Sequence, residues 1–389
     1  MFCLKQWRKA GYIVCVIFSA CTQVDDYILG KDNTPAPKPL DTMKNKIPLK
    51  LDWSVLAGGK SNRLTYLKLT PVVKNNIVYT ADSHGQVESR DSGSGELRWA
   101  TQLKHGVLSG PSVGEAGVAL GTDASSLVVL NKSDGHKIWQ AKLSGDVLAQ
   151  PLIMNHSVFV KTVDGTVVSL AMKNGEKQWS LDHGSPQLIL QASSSPVQMG
   201  SKLLVGFSDG KLESIDQTTG HSEWQRGMMY PRGSSDVERL VDIDADPIVH
   251  QDTVYLASYQ SSVGAWQLTD GQSIWTKPVS VYKNMAIDTT TLYMVDRHDT
   301  VWAIARSNGM IKWKNITLKA RGVTAPVLIG SWLIVGDHTG NLHVLDVQTG
   351  NVLARISLPA AIDSAPAASG HNIYVMTADG RLNRLTVGA

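Results

Sequence analysis

The sequence predicts an all-β protein, an eight-bladed β-propeller whose ring is closed by its own N-terminal strand. Three observations carry that expectation. Six copies of Gly-x-x-x-Trp recur, ending at Trp99, Trp139, Trp179, Trp224, Trp275 and Trp313, and Gly350 opens a seventh with Ala354 in the Trp place. A second mark, Pro71, Pro111, Pro151, Pro196, Pro247 and Pro326, stands 28 residues before Trp99, Trp139, Trp179, Trp224, Trp275 and Ala354, with Met285 at that place in the sixth unit. Pro366 begins an eighth unit that lacks its Trp strand, whereas Trp53 heads a strand with no unit before it.

Each unit reads as four short strands. Runs such as Leu203–Phe207 and Leu333–Gly336 are rich in β formers, and an Asp-Gly-like turn (Asp164-Gly165, Asp209-Gly210, Gly85, Gly340) follows the proline by 13 to 14 residues. Short strands joined by tight turns at a fixed period are the pattern of a propeller blade. The glycine four residues before each Trp suits a left-handed turn residue between the third and fourth strands. Trp53, Trp99, Trp139, Trp179, Trp224, Trp275 and Trp313 then fall at the start of outer strands and pack between blades, each burial contributing roughly 1.5–3 kcal/mol or more. Joining the orphan N-terminal strand to the incomplete eighth unit closes the ring and removes free sheet edges. Trp7, Trp266, Trp302 and Trp332 stand outside the register.

Composition agrees with one large ring. At 389 residues, a prior of about 150 residues per domain would give two or three domains. A repeat of this kind gives one. With 42% hydrophobic and 18% charged residues, 34 Gly and 15 Pro, the chain forms a core and many turns. The net charge of +3 resides in Lys5, Arg8 and Lys9, so the remainder is neutral and lacks the electrostatic footprint of a nucleic-acid binder.

The first residues carry a basic stretch (Lys5 to Lys9), an apolar run (Gly11 to Phe18) and then Ser19-Ala20-Cys21. That plan is a secretory signal, too short to span a bilayer as a mature helix. Phe18-Ser19-Ala20-Cys21 resembles the bacterial lipobox, which implies that Cys21 is lipidated and becomes the first residue. Thr22 stands where an Asp would signal inner-membrane retention, so the resemblance implies the outer membrane. The expected organisation is a lipoprotein signal peptide over 1–20, lipidated Cys21 and a flexible tether over 21–50, and the propeller over 51–389. All three cysteines fall by position 21, leaving the body without thiolate ligands, nucleophiles or disulfides.

Other motifs fail on context. Gly110-Pro111-Ser112-Val113-Gly114 has the spacing of a nucleophile elbow, but that chemistry needs a strand-turn-helix and Pro111 is in repeat register. Gly93 and Gly95 do not complete a dinucleotide fingerprint, because Arg98 occupies the last glycine place. Asp242-Ile243-Asp244-Ala245-Asp246 resembles the opening of a calcium loop, yet Pro247 holds the glycine place and Thr253 the bidentate acid place. The eleven histidines show no HExxH pair.

With the proline-to-Trp distance fixed, length variation falls between blades. The connection is 12 residues after Trp99 and Trp139, but 17 between Trp179 and Pro196 and 23 between Trp224 and Pro247. Two successive connections are therefore enlarged on one face, where repeat arrays often bind partners. The first carries Leu188-Ile189-Leu190-Gln191 and the second Glu238-Arg239-Leu240-Val241-Asp242-Ile243-Asp244.

The repeat resembles the PQQ-like repeat of quinoprotein propellers over residues 51–389. Together with the lipobox it is similar to the lipoprotein scaffolds of the outer-membrane β-barrel assembly (BAM) machinery. That resemblance implies a non-enzymatic protein without cofactor or metal, on the periplasmic side of the outer membrane, which assists the folding and insertion of β-barrel proteins. It also implies a partner, the POTRA domains of the barrel-forming subunit BamA, with unfolded outer-membrane proteins as further candidates. In that family the two enlarged connections carry a Leu-x-Leu-Arg and an Asp-x-Asp motif. Leu188 and Leu190 match the leucines and Asp242 and Asp244 the acids, with Arg239 beside them. Gln191 stands where the family has Arg and removes a charge-assisted contact. Exposed leucines beside paired carboxylates suit an apolar anchor with a polar rim. Two alternatives stand: the leucines simply start the next inner strand while the aspartates brace turns, or the whole chain is a periplasmic quinoprotein-like dehydrogenase.

Overall fold

The computed structural model describes residues 35–60, 67–184, 193–230 and 241–388. Cys21, Leu188, Leu190, Gln191 and Arg239 lie outside them. The described residues contain strands and turns but no helix.

Seven four-stranded antiparallel sheets follow one another at 72–102, 107–142, 152–182, 197–227, 248–277, 286–315 and 327–357, forming blades one to seven. Blade eight takes three strands from 367–387 and its outer strand, Leu49–Leu56, from the other end of the sequence. Leu49 pairs with Val387 and Leu56 with Arg381, antiparallel throughout. The expected eight blades and their closure by the N-terminal strand are both present. Because successive strands reverse direction, the inter-blade connections and the turns between second and third strands share one end of every blade, here called the connection face.

The apolar pattern explains why the ring holds. The second and third strands of a blade are buried on both sides, as in Ser157–Lys161 and Thr166–Ala171 of blade three. Their side chains point alternately to the two neighbouring blades. The core is accordingly divided into eight clusters, each shared by two successive blades. Blade eight meets blade one through Tyr374, Leu382 and Ala57 against Val78, with Trp53 at the margin.

Tryptophan and glycine marks are two halves of one contact. Each indole leaves its own blade and lies over the turn glycine of the next: Trp53 on Gly95, Trp99 on Gly135, Trp139 on Gly175, Trp179 on Gly220, Trp275 on Gly309 and Trp313 on Gly350. Its Nε1 then donates to a carbonyl of that next blade, at Gly93, Lys132, Met172, Gln217, Arg306 and Val347, over 2.7–3.0 Å. A hydrogen bond of this kind contributes about 0.5–1.5 kcal/mol beyond the buried area.

Trp224 is the exception. It keeps its place opposite Ser214 in blade four, but Arg226 occupies the inter-blade position. The guanidinium donates to Leu268 O (2.8 Å) and Thr269 O (3.1 Å), lies 4.5 Å over the Trp224 ring, and its stem covers Gly271. At the seventh boundary, where Ala354 replaces Trp, the out-of-register Trp332 packs into the core beside His371 and Gly388.

Residues 38–48 also serve that boundary, which shortens the expected tether. Lys38 N donates to Lys319 O (3.0 Å), and Arg321 Nη1 donates to Lys38 O (2.9 Å). Asn45 exchanges two hydrogen bonds with the backbone of Arg355, and Lys46 N donates to Leu353 O (2.8 Å). Leu40 and Ile47 insert into the cores on either side of blade seven. An otherwise open outer strand is thereby covered, because two apolar side chains and a row of backbone bonds hold the segment down.

Candidate partner-binding site

The two enlarged connections span 183–196 and 228–247 on the connection face. Their departing ends are pinned to blade four. The His183 ring stacks on Phe207 at 3.6 Å between centroids, with Nδ1 2.8 Å from Glu213 Oε2 and Nε2 3.2 Å from Asp209 Oδ2. Burial opposes charging the ring, but the two carboxylates outweigh it and raise the imidazole to about 9. Asp209, also bound by Lys211 at 2.7 Å, is held down at about 2 by His183 and Lys211 against the effect of burial. The second connection leaves through Met228 and Met229, whose amides both donate to Gly210 O and whose side chains are buried between blades four and five. Tyr230 then turns outward, 67% exposed.

The returning ends converge. Asp242 and Asp244 are 2% and 0% exposed, so their side chains face into the ring rather than forming the expected outward polar rim. Alternation in an extended segment places both on the side of Lys161, while Ile243 between them fills the core against Leu204 and Leu256. Both Asp244 carboxylate oxygens lack a hydrogen-bond partner among the described residues. Burial, reinforced by the neighbouring Asp242 carboxylate, pushes its pKa well up and favours the protonated acid. Lys161 is buried too, donating to Gly206 O (2.5 Å) and Ser194 Oγ (3.2 Å); burial, helped by Lys68, lowers its amine to about 7.

Asp246 is the node of the site. Its Oδ1 accepts from Ser195 N (2.6 Å) and Lys68 Nζ (2.5 Å), and its Oδ2 accepts from Asn284 Nδ2 (2.7 Å). Burial raises this carboxyl, but Lys68 and these donors prevail and hold it below its usual range. One carboxylate therefore ties the end of the first enlarged connection to the end of the second and to the lead-in of blade six. Sequence reasoning passed over Asp246, reading it only as part of a failed calcium loop. The alternating 242-244-246 acids were the available signal. Lys68, Lys161 and His183 carried none.

Among the described residues, no group of three His, Cys, Asp or Glu side chains could hold a metal ion. A separate cavity of about 310 Å³ is bordered by the lead-ins to blades one, six, seven and eight, with Leu67, Leu69, Tyr282 and Met376 in its wall. The arrangement at 183–196 and 228–247 suits protein contact: two long loops with fixed ends on one face of a rigid ring.

The family described as "Outer membrane protein assembly factor BamB" matches residues 83–315 and 317–388. The chain belongs to that family. A BamB of Legionella pneumophila (strain Paris) is 52% identical, covering 96% of this chain and 98% of that protein. The BamB of Escherichia coli (strain K12) is 29% identical, covering 98% and 99%. Among solved structures, BamB from Moraxella catarrhalis matches with a TM-score of 0.79 at 24% identity, covering 87% of this chain and all of that one. The quinohemoprotein alcohol dehydrogenase of Comamonas testosteroni matches with a TM-score of 0.70 at 13% identity, over 87% of this chain and 76% of that one. At these identities the structural matches speak for the propeller fold alone.

Proposed function

We propose that the protein is a non-catalytic scaffold of the outer-membrane β-barrel assembly machinery, anchored through lipid on Cys21 and facing the periplasm. It docks through the connections 183–196 and 228–247 on the POTRA domains of BamA and so assists the folding and insertion of β-barrel proteins. Membership of the BamB family supports the assembly role. The observation that carries the docking surface is the joining of two successive enlarged connections at Asp246 on one face of the ring. Leu188 and Leu190 supply the apolar anchor, with Gln191 and Arg239 beside them. Asp242 and Asp244, being buried, act by holding the second connection in place rather than by touching the partner. Lys38 joins the ring beside Lys319 and Arg321, in the connection between blades six and seven. The tether therefore reaches the ring on the connection face, compatible with docking close to the membrane.

Affinity capture of the detergent-extracted lipoprotein tests the reading. Wild type retains BamA and Leu188→Ala/Leu190→Ala loses it, while both keep the same melting temperature. Absence of BamA from the wild-type capture overturns the proposal, as does dehydrogenase turnover with added calcium and quinone.

A further inference from the structure

Lys68 belongs to the lead-in of blade one, and blades one and five stand opposite each other in a ring of eight. Its amine nevertheless lies 2.5 Å from Asp246 Oδ1 and 3.1 Å from Asp244 O, both in the lead-in of blade five. The side chain crosses the ring axis. Its own backbone is held firmly, since Lys68 bridges Ser109 in parallel and its carbonyl accepts from Gly110 N at 3.1 Å. At 7% exposure the ammonium group has left water.

Such a pair is a weak source of net stability, because the cost of desolvating both ions offsets most of their attraction. What it fixes is position. Asp246 already holds Ser195 from the first enlarged connection and Asn284 from the lead-in of blade six. The charges facing it are Lys68, Lys161, Asp242 and Asp244. Lys161 cannot stand in for Lys68, being committed to Gly206 O and Ser194 Oγ. Without Lys68, the Asp246 carboxylate keeps only neutral donors and faces two acidic neighbours in a site closed to water. The returning ends of the two connections then separate or admit solvent.

We propose that Lys68 is a positioning residue for partner docking, a brace across the ring that sets the spacing of the two enlarged connections from the opposite blade. The inference rests on the docking reading above. Its test uses full-length lipoprotein in detergent with the soluble POTRA region of BamA as probe, comparing wild type, Lys68→Met, Lys68→Arg, Asp246→Asn and Lys68→Met/Asp246→Asn. Amide hydrogen exchange at 193–196 and 241–247 is followed alongside binding. Lys68→Met weakens binding by about tenfold, a typical coupling between distant sites. It also speeds exchange in both segments while leaving the outer strand Leu97–Gln102 unchanged. Lys68→Arg restores both readouts, and the double variant recovers much of the loss because no unpaired charge remains. Wild-type exchange in Lys68→Met, or exchange that rises evenly around the ring, overturns the brace. If Lys68→Met does not fold, a double variant as poor as Asp246→Asn with Lys68→Arg no better refutes it equally. Failure of wild type to bind POTRA refutes the docking reading, and the exchange pattern still decides the brace.

Discussion

Replacing Gly350 by alanine puts a methyl group where the Trp313 ring now lies. The glycine has φ +72°, and an added Cβ would meet Trp313 Cε3. Forcing alanine into the left-handed region costs about 1–2 kcal/mol on its own. Displacing the indole, buried to 8% exposure, gives up part of a burial term of about 1.5–3 kcal/mol. It also stretches the Nε1 bond to Val347 O at 2.8 Å, at about 0.5–1.5 kcal/mol. The sum is about 3–5 kcal/mol. Gly370 provides an internal control, with φ +59° and nothing within 4 Å of the added carbon, so Gly370→Ala carries the backbone cost alone. With an unfolding entropy of about 0.7 kcal/mol/K for a ring of this size, calorimetry shows Gly350→Ala melting roughly 4–7 °C lower and Gly370→Ala roughly 1–3 °C lower. Equal losses in the two variants refute the claim that the repeat glycines exist to receive the neighbouring indole.

Arg226→Ala removes two inter-blade hydrogen bonds and costs about 1–3 kcal/mol in a urea titration, more than Trp224→Phe does; the reverse order contradicts the substitution of arginine for tryptophan at that boundary. His183 has a folded pKa raised above its ordinary 6.5 to about 9, so its contribution is complete below 6.5 and is lost as pH rises through 9. His183→Gln therefore lowers the melting temperature strongly at about pH 6 and little at about pH 10, and a pH-independent loss excludes the charged ring. Asp209, depressed to about 2, contributes above its ordinary 3.8 and loses that contribution as pH falls toward 2. Finally, Cys21→Ala releases the protein from the membrane fraction into the soluble periplasm; unchanged membrane association rules out the lipid anchor.

The ring was legible because its recurrent contact needs two residue types at fixed places. An indole must cover a glycine that has no side chain, so both leave a periodic trace. The same trace misled at Trp224: sequence shows the residue at a register position, not which neighbour reaches across the boundary, and Arg226 two residues on does so. The site was legible as a place and not as a geometry. Connection lengths located both loops, but the direction of Asp242 and Asp244 depended on Ile243 claiming the core and on Lys161 waiting behind them. Lys68 was invisible for a plainer reason. Its partner lies 178 positions away, across the axis, and no repeat period relates the two. The end of the tether was overextended because Leu40 and Ile47 are isolated apolar residues whose pockets exist only once blade seven has formed.

Closure of blade eight also sets an order of events during synthesis. Leu49–Leu56 is among the first ordered segments to be made, yet its partner strand Arg381–Val387 follows roughly 300 residues later. At about 5–20 residues per second, that strand waits from about fifteen seconds to a minute with its backbone groups unpaired. Blades one to seven can fold in sequence while the last waits. A newly made chain is thus an open stack with two exposed edges, and the pairing of Leu56 with Arg381 marks the moment at which it ceases to be a template for its neighbours.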